Sequence, residues 1–153
     1  MSTMIFLPFI IQAIVIFLDE WLYHLKRGLP KWERIGHPLD TLSIIACMVF
    51  VLAIPYEASW IKFYVALGIF SCLLVTKDEF VHKHHCPAGE HWLHAILFIN
   101  HSVLITAMGF MWPHLSKPGE VLRLFLWSQA ALATLFFLYQ VIYWNFIYEK
   151  RHQ

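Results

Sequence analysis

Five long apolar stretches, separated by short polar segments, leave this chain of 153 residues few possible folds. A helix that crosses a membrane needs about 20 mostly apolar residues, and each stretch is roughly that long. Charged residues make up only 14% of the chain, whereas soluble domains carry about a quarter. We therefore predict an all-α integral membrane protein, a single domain built as a five-transmembrane-helix bundle. The predicted helices cover residues 4–25, 38–54, 59–85, 90–112 and 120–148.

The predicted connections carry residues that end helices. Residues 26–36 are expected to form a basic loop in which Gly28, Pro30 and Gly36 interrupt helical structure. Pro38 suits the first turn of the second helix. No basic segment precedes the first apolar stretch and no small-residue cleavage site follows it, which favours a retained helix over a signal peptide.

The distribution of Lys and Arg predicts the orientation, because cytoplasmic loops carry an excess of both. Of the 11 Lys and Arg residues, eight fall on one predicted side and three on the other. We expect the N-terminus outside and the C-terminus in the cytoplasm. The cytoplasmic side holds Lys26, Arg27, Lys31, Arg34, Lys77, Lys83, Lys150 and Arg151, and the other side holds Lys62, Lys117 and Arg123.

Most His, Asp and Glu residues fall at the predicted cytoplasmic end of the helices. Ionisable side chains at membrane depth are costly and are usually functional. Imidazole and carboxylate together, beside three cysteines without paired spacing, are ligands that suit Fe, Mn or Zn. The candidate metal ligands are Glu20, His24, His37, Asp40, Asp78, Glu79, His82, His84, His85, Glu90, His91 and His94.

Residues 78–85 are the strongest candidate segment. On a helix, Asp78, His82 and His85 share one face. Glu79 and His82 have the Glu-x-x-His spacing of carboxylate-bridged di-metal bundles. A solvated, charged helix end is the alternative, but it does not explain three His within four residues.

Two further helix ends pair a carboxylate with a His one turn away. Glu90 and His94 share a face of the fourth helix, and Glu20 and His24 share a face of the first. His91 points about 60° away from His94. Alternatively, Glu90 complements the helix dipole, and the Glu20–His24 pair is a helix end whose side chains reach towards the membrane interface.

The ligand count predicts the cofactor. A structural zinc ion needs four ligands, and this cluster offers more, so we expect two transition-metal ions bridged by carboxylate, Fe first, with Zn or Mn as alternatives. His37 and Asp40 could instead cap the second helix and complement its dipole. The candidate catalytic residues are Tyr23, as a proton or electron donor, and His101, deeper in the fourth helix, as a contact for substrate.

The segment His82-Lys83-His84-His85 resembles a histidine box of the membrane di-iron fatty acid hydroxylases and desaturases. In that superfamily, His boxes at helix ends hold two irons that activate oxygen on a lipid chain. The last box of that family has two residues between its first His and its His pair, where this chain has only Lys83. The carboxylate-rich set here is closer to ferritin-like di-iron bundles, with Glu79-x-x-His82 as the matching pair.

These features lead to three functional expectations. The first is a di-iron oxidase or oxygenase that acts on a lipid or hydrophobic small molecule, with membrane lipids around it and an electron-donor protein as partner. The second is a zinc-dependent membrane hydrolase in which metal-activated water attacks an ester or amide. The third is a non-enzymatic haem or metal-ion carrier. A net charge of +1 gives no indication of nucleic-acid binding.

Overall fold

The computed structural model describes residues 3–80, 86–115 and 121–148, and all regular elements within these ranges are helical. Within these ranges, five helices are long and apolar enough to cross a membrane, which confirms the predicted all-helical fold and the predicted number of such helices. We number them α1 (Thr3–Arg27), α2 (Lys31–Ala53), α3 (Ala58–Val75), α4 (Ala88–His114) and α5 (Val121–Ile147). A 3-10 turn, Thr76–Asp78, follows α3.

The hydrophobic core lies in the half of the bundle that contains the ends of α2 and α4 and the start of α5. α1 packs mainly on α4, and α2 packs on both α5 and α3. Cys47, Met108, Met111 and Leu126 are fully buried between these helices. The outer faces expose large apolar side chains such as Phe70, as lipid-facing helices do.

α2 begins at Lys31, well before the predicted start at Pro38, and only residues 28–30 separate it from α1. Pro38 therefore lies inside the helix, where it has no N–H to donate to the carbonyl one turn earlier. That carbonyl belongs to Arg34, and the side-chain amide of Asn145 on α5 donates to it at 3.4 Å. A contact from another helix thus compensates for the proline, which no local sequence pattern reveals.

Two helices widen into π-helical turns at the polar end of the bundle. In α1 the π turn covers Glu20–His24, and in α5 it covers Tyr143–Ile147. The two turns contact each other, because Trp144 Nε1 donates to Glu20 Oε1 at 3.1 Å. A π turn contains one residue more than an α-helical turn and often marks a functional site.

Candidate metal centre

Four buried side chains from α1 and α4 form a group that could hold a metal ion. Asp19 and His24 come from α1, and Glu90 and His94 come from α4. One ligand atom from each lies within 4.8 Å of the others. None of the four residues exposes more than 4% of its surface, and such deep burial of ionisable groups requires close partners.

The π turn of α1 explains how Asp19 and His24 come together. Residues five apart on a regular α-helix point about 140° away from each other. In the π turn they face the same side, and His24 Nε2 lies 3.2 Å from Asp19 Oδ2. On α4, Glu90 and His94 need no such distortion, because residues four apart share a face.

The hydrogen bonds of His24 leave one of its ring nitrogens for a ligand. His24 Nδ1 lies 3.0 Å from Glu20 Oε2, as expected for an N–H that donates to a carboxylate. In a neutral imidazole the other nitrogen, Nε2, then carries the lone pair. Nε2 lies near Asp19 Oδ2 and 3.4 Å from Glu90 Oε1 but has hydrogen-bond geometry with neither. Carboxylate, imidazole and metal commonly stand in this order in metal sites.

Glu20 is itself held by α5. Its Oε1 accepts hydrogen bonds from Tyr139 Oη at 2.6 Å and from Trp144 Nε1 at 3.1 Å. Glu20, a predicted ligand, therefore lies beside the four-residue group rather than within it. Its contacts fix the orientation of the His24 ring.

The spacing of the four ligands fits a transition metal. Two ligands about 2.1 Å from a tetrahedral ion lie about 3.4 Å apart. The corresponding distances here are 3.1 Å from His94 Nε2 to Asp19 Oδ2, 3.2 Å from His24 to Asp19 and 3.4 Å from His24 to Glu90. Asp19 Oδ1 and Glu90 Oε2 are buried without a hydrogen-bond partner among the described residues. A bound cation would stabilise these oxygens.

Charge also favours a cation at this position. Asp19 and Glu20 bring two carboxylates into the interior of the bundle, and no Lys or Arg of the described ranges forms an ion pair with either. Buried carboxylates need compensating positive charge. A protonated His24 could supply one positive charge, whereas a divalent ion would supply two.

A second group, His24, Glu33 and His37, adjoins the first and shares His24 with it. Between the two groups lies Arg27, whose Nη2 is 2.9 Å from Glu33 Oε2 and 2.6 Å from Glu90 Oε1. The guanidinium thus supplies the positive charge that a second ion would bring. For the part of the chain that is described, the geometry provides one four-residue group and one smaller group, and Arg27 is paired with a carboxylate of each.

Arg27 also approaches the thiol of Cys86, with Nη2 to Sγ at 3.7 Å. Burial raises the pKa of Cys86 to about 12. The side chain therefore stays a thiol at neutral pH, and only the thiolate is a good metal ligand.

Three helices each contribute a carboxylate followed four residues later by a His. The pairs are Glu20–His24, Glu33–His37 and Glu90–His94. Sequence reasoning identified the first and third but placed Glu33 in a loop, although Glu33 is fully buried in α2. The repeated Glu-x-x-x-His spacing is the signal that could have identified Glu33. Asp19 stands beside Glu20 in the polar cluster of the sequence and counts with it as a carboxylate of the first helix, but its spacing gives no reason to pair it with His24, because that contact depends on the π turn.

The remaining candidates lie elsewhere. Lys77 Nζ donates to both carboxylate oxygens of Asp40 at 2.7 Å. His91 Nδ1 lies 3.6 Å from Glu79 Oε1 near the surface. Tyr23 points at Gly89, where a Cβ atom would collide with the phenol oxygen. Outside the described part lie His82, His84, His85 and the side chain of Asp78.

A cavity of about 560 Å³ adjoins the metal-binding group. Asp19, His24 and His94 line its polar end, and Phe9 and Leu104 line its apolar end. Ten residues separate Asp19 from Phe9, so the cavity extends about 15 Å along α1. Such a volume and lining suit a hydrophobic ligand with one polar end.

The cavity reaches the outer surface between α1 and α5. At the apolar end these helices touch through Phe9 and Phe125, whose ring centroids are 5.0 Å apart, and at the polar end through the hydrogen bonds to Glu20. Between these contacts, Phe17 and Leu132 line the cavity although 63% and 54% of their surfaces are exposed. A gap that opens to the outer surface therefore separates the two helices.

No protein-family model, curated protein or solved structure matches this chain significantly.

Proposed function

We propose that this protein is a membrane-embedded, metal-dependent oxidase or oxygenase that acts on a hydrophobic substrate taken from the bilayer. The observation that carries the proposal is the direct contact between a buried His and carboxylate group and a large apolar cavity. Mixed imidazole and carboxylate ligands are typical of non-haem iron. By the Lys and Arg distribution, the centre would lie at the cytoplasmic interface.

The chain itself would hold and orient the reactants. Asp19, His24, Glu90 and His94 would bind the ion, and Glu20 would keep Nε2 of His24 free to ligate. If this group held an iron ion, the ion would be the part of the centre that reacts with dioxygen. The apolar walls would exclude water and align a chain so that one segment lies beside the ion.

Electrons for such a reaction would have to reach the centre, and aromatic residues of α5 offer a route. Tyr139 and Trp144 both donate to Glu20. Tyr143 stacks on Tyr139 at 5.3 Å between ring centroids and contacts Trp144 at 5.0 Å, and Trp144 contacts Tyr148 at 4.9 Å. An electron-donor protein that docks near Tyr148 completes this proposal.

The proposal must also state how many ions the centre would bind. One ion fits the group of Asp19, His24, Glu90 and His94. A second ion at Glu33 and His37 would require Arg27 to leave its two carboxylates, and His24 would have to serve both ions. The measured ratio of metal to protein distinguishes one bound ion from the two that the sequence predicts.

A zinc-dependent hydrolase is the second candidate, and the tetrahedral ligand spacing favours it. A zinc ion would activate a water molecule for attack on an ester or amide. Glu33, which lies beside the group and is paired with Arg27, would then have to act as the base.

The decisive experiment compares iron-loaded and zinc-loaded protein. Metal-free protein in vesicles of its host's lipids is loaded anaerobically with either ion. Oxygen uptake and lipid masses are then measured with an external reductant. The proposal expects oxygen uptake and lipids changed by oxygen insertion or loss of hydrogen with iron only. Lipid cleavage with zinc, and no oxygen uptake with iron, would establish the hydrolase instead.

A further inference from the structure

A buried chain of hydrogen bonds connects α2, α3 and α4 through Ser43, Ser71 and His101. The hydroxyl of Ser43 donates to the carbonyl oxygen of Asp40 at 2.8 Å. The hydroxyls of Ser43 and Ser71 lie 2.7 Å apart, and Ser71 Oγ lies 2.8 Å from His101 Nε2. All three side chains are buried, with 6%, 0% and 4% of their surfaces exposed.

The direction of this chain follows from counting hydrogens. Each hydroxyl has one hydrogen to donate, and a carbonyl oxygen only accepts. Because Ser43 donates to Asp40, the hydrogen between the two serines comes from Ser71. The hydrogen between Ser71 and His101 must then come from Nε2 of His101. This direction is the one that satisfies all three contacts, and hydrogen-bond networks assign histidine tautomers in this way.

Nε2 of His101 therefore carries a hydrogen, and burial of the side chain, which is 4% exposed, favours the neutral imidazole, whose Nδ1 carries an unshared lone pair. His101 lines the cavity, whereas Ser43 and Ser71 do not. Nε2 points away from the cavity towards Ser71, and no described residue forms a hydrogen bond with Nδ1. The structure thus maintains one hydrogen-bond acceptor inside mostly apolar walls, about 10 Å along α4 from His94.

We propose that the substrate is a long aliphatic chain that carries a hydroxyl group, and that this hydroxyl donates to His101 Nδ1. This inference rests on the proposed function, which supplies the hydrophobic substrate, and it adds that the substrate carries a hydroxyl group. A buried acceptor that is left unsatisfied disfavours a ligand without a donor. A site with such an acceptor therefore discriminates between a hydroxyl and its capped analogue by about the net contribution of one hydrogen bond.

The test uses a long-chain primary alcohol and its methyl ether of matched length, which differ in the ability to donate. Each competes with a fluorescent lipid analogue for metal-free protein in nanodiscs. We expect the native chain to bind the alcohol roughly three- to tenfold more tightly than the ether. His101→Leu should abolish that preference. Ser71→Ala should reduce it, because the imidazole stays but its tautomer is no longer fixed.

Ser102→Ala is the matched control, since Ser102 follows His101 on α4 but is exposed, donates to the carbonyl oxygen of Ile99 and does not line the cavity. Its alcohol preference should equal that of the native chain. Equal binding of alcohol and ether by the native chain would overturn the inference, as would a preference that survives His101→Leu or disappears in Ser102→Ala. Nitrogen-15 spectra of the histidines give a second measurement, which needs no variant and no bound ligand. A proton on Nδ1 of His101 in these spectra would also overturn the inference. Because the protein is metal-free throughout, failure of the metal proposal leaves these results interpretable.

Discussion

At the scale of single residues, mutations can distinguish a side chain that would bind the ion from a side chain that orients such a ligand. Asp19, His24, Glu90 and His94 could contact an ion, whereas Glu20 contacts His24. The two roles differ in how much affinity they contribute. They therefore lead to two predictions with different magnitudes.

His94→Ala should lower metal affinity by at least about 100-fold, because loss of a ligand exceeds the effect of losing an outer partner. The matched control is His91→Ala on the same helix, since His91 lies near the surface beside Glu79. Metal content by elemental analysis and dissociation constants by titration with Fe²⁺ or Zn²⁺ provide the measurement. Equal losses in the two variants would contradict the four-residue group.

Glu20→Gln should weaken metal binding by about tenfold, in the range for partners that orient a ligating His. Glu79→Gln, which changes a half-exposed carboxylate, should have no measurable effect. The same titrations measure both. A loss as large as that of His94→Ala would mean that Glu20 ligates the ion directly, as its sequence spacing predicts.

At the scale of helices, the sequence predicts the number and type of elements better than their local geometry. Long apolar runs identify all five helices because hydrophobic length is a property of each segment alone. The sequence does not predict the start of α2, because Pro38 lies inside the helix and the amide of Asn145, from another helix, donates to the carbonyl of Arg34 one turn earlier. Likewise, Asp19 joins His24 because α1 widens over Glu20–His24, a turn that α5 contacts through the hydrogen bonds to Glu20.

The turn between α1 and α2 gives a prediction about stability. Gly28 has a φ of 77°, and a Cβ atom there would collide with the hydroxyl of Tyr148. Gly28→Ala should therefore destabilise the protein by about 1–3 kcal/mol, the usual cost of such backbone strain. The melting temperature in detergent should fall accordingly. In Gly109→Ala the new Cβ would lie 3.1 Å from Tyr64 Cε1, so a small change is expected, and an equal fall would argue against the strain.

At the scale of the whole molecule, the candidate metal group and the cavity share their walls. α1 and α4 carry the four residues of the group, and both also line the apolar space. The sequence predicts the polar end from its clustered His and carboxylates. It gives no sign of the cavity, because an empty volume depends on how helices pack and not on any one of them.

The topology is testable directly. With the N-terminus outside, a fluorescent protein fused after Gln153 should fluoresce, because that position would be cytoplasmic. Alkaline phosphatase fused after Tyr56, between α2 and α3, should be active, because that position would be external. The reverse pattern at both sites would invert the orientation while keeping all ligands on one side. Cytoplasmic signals from both fusions would contradict the prediction that three spans, α3, α4 and α5, lie between the two positions.

The separation of Glu20 from its hydrogen-bond donors along the chain has a consequence for biosynthesis. All four residues of the candidate metal group lie in α1 and α4, but Tyr139 and Trp144 belong to α5, which follows both helices in the chain. During synthesis Glu20 is therefore made before the groups that donate to it. The alignment of His24 through Glu20 consequently waits until α5 has been translated, after all four residues of the group have been made.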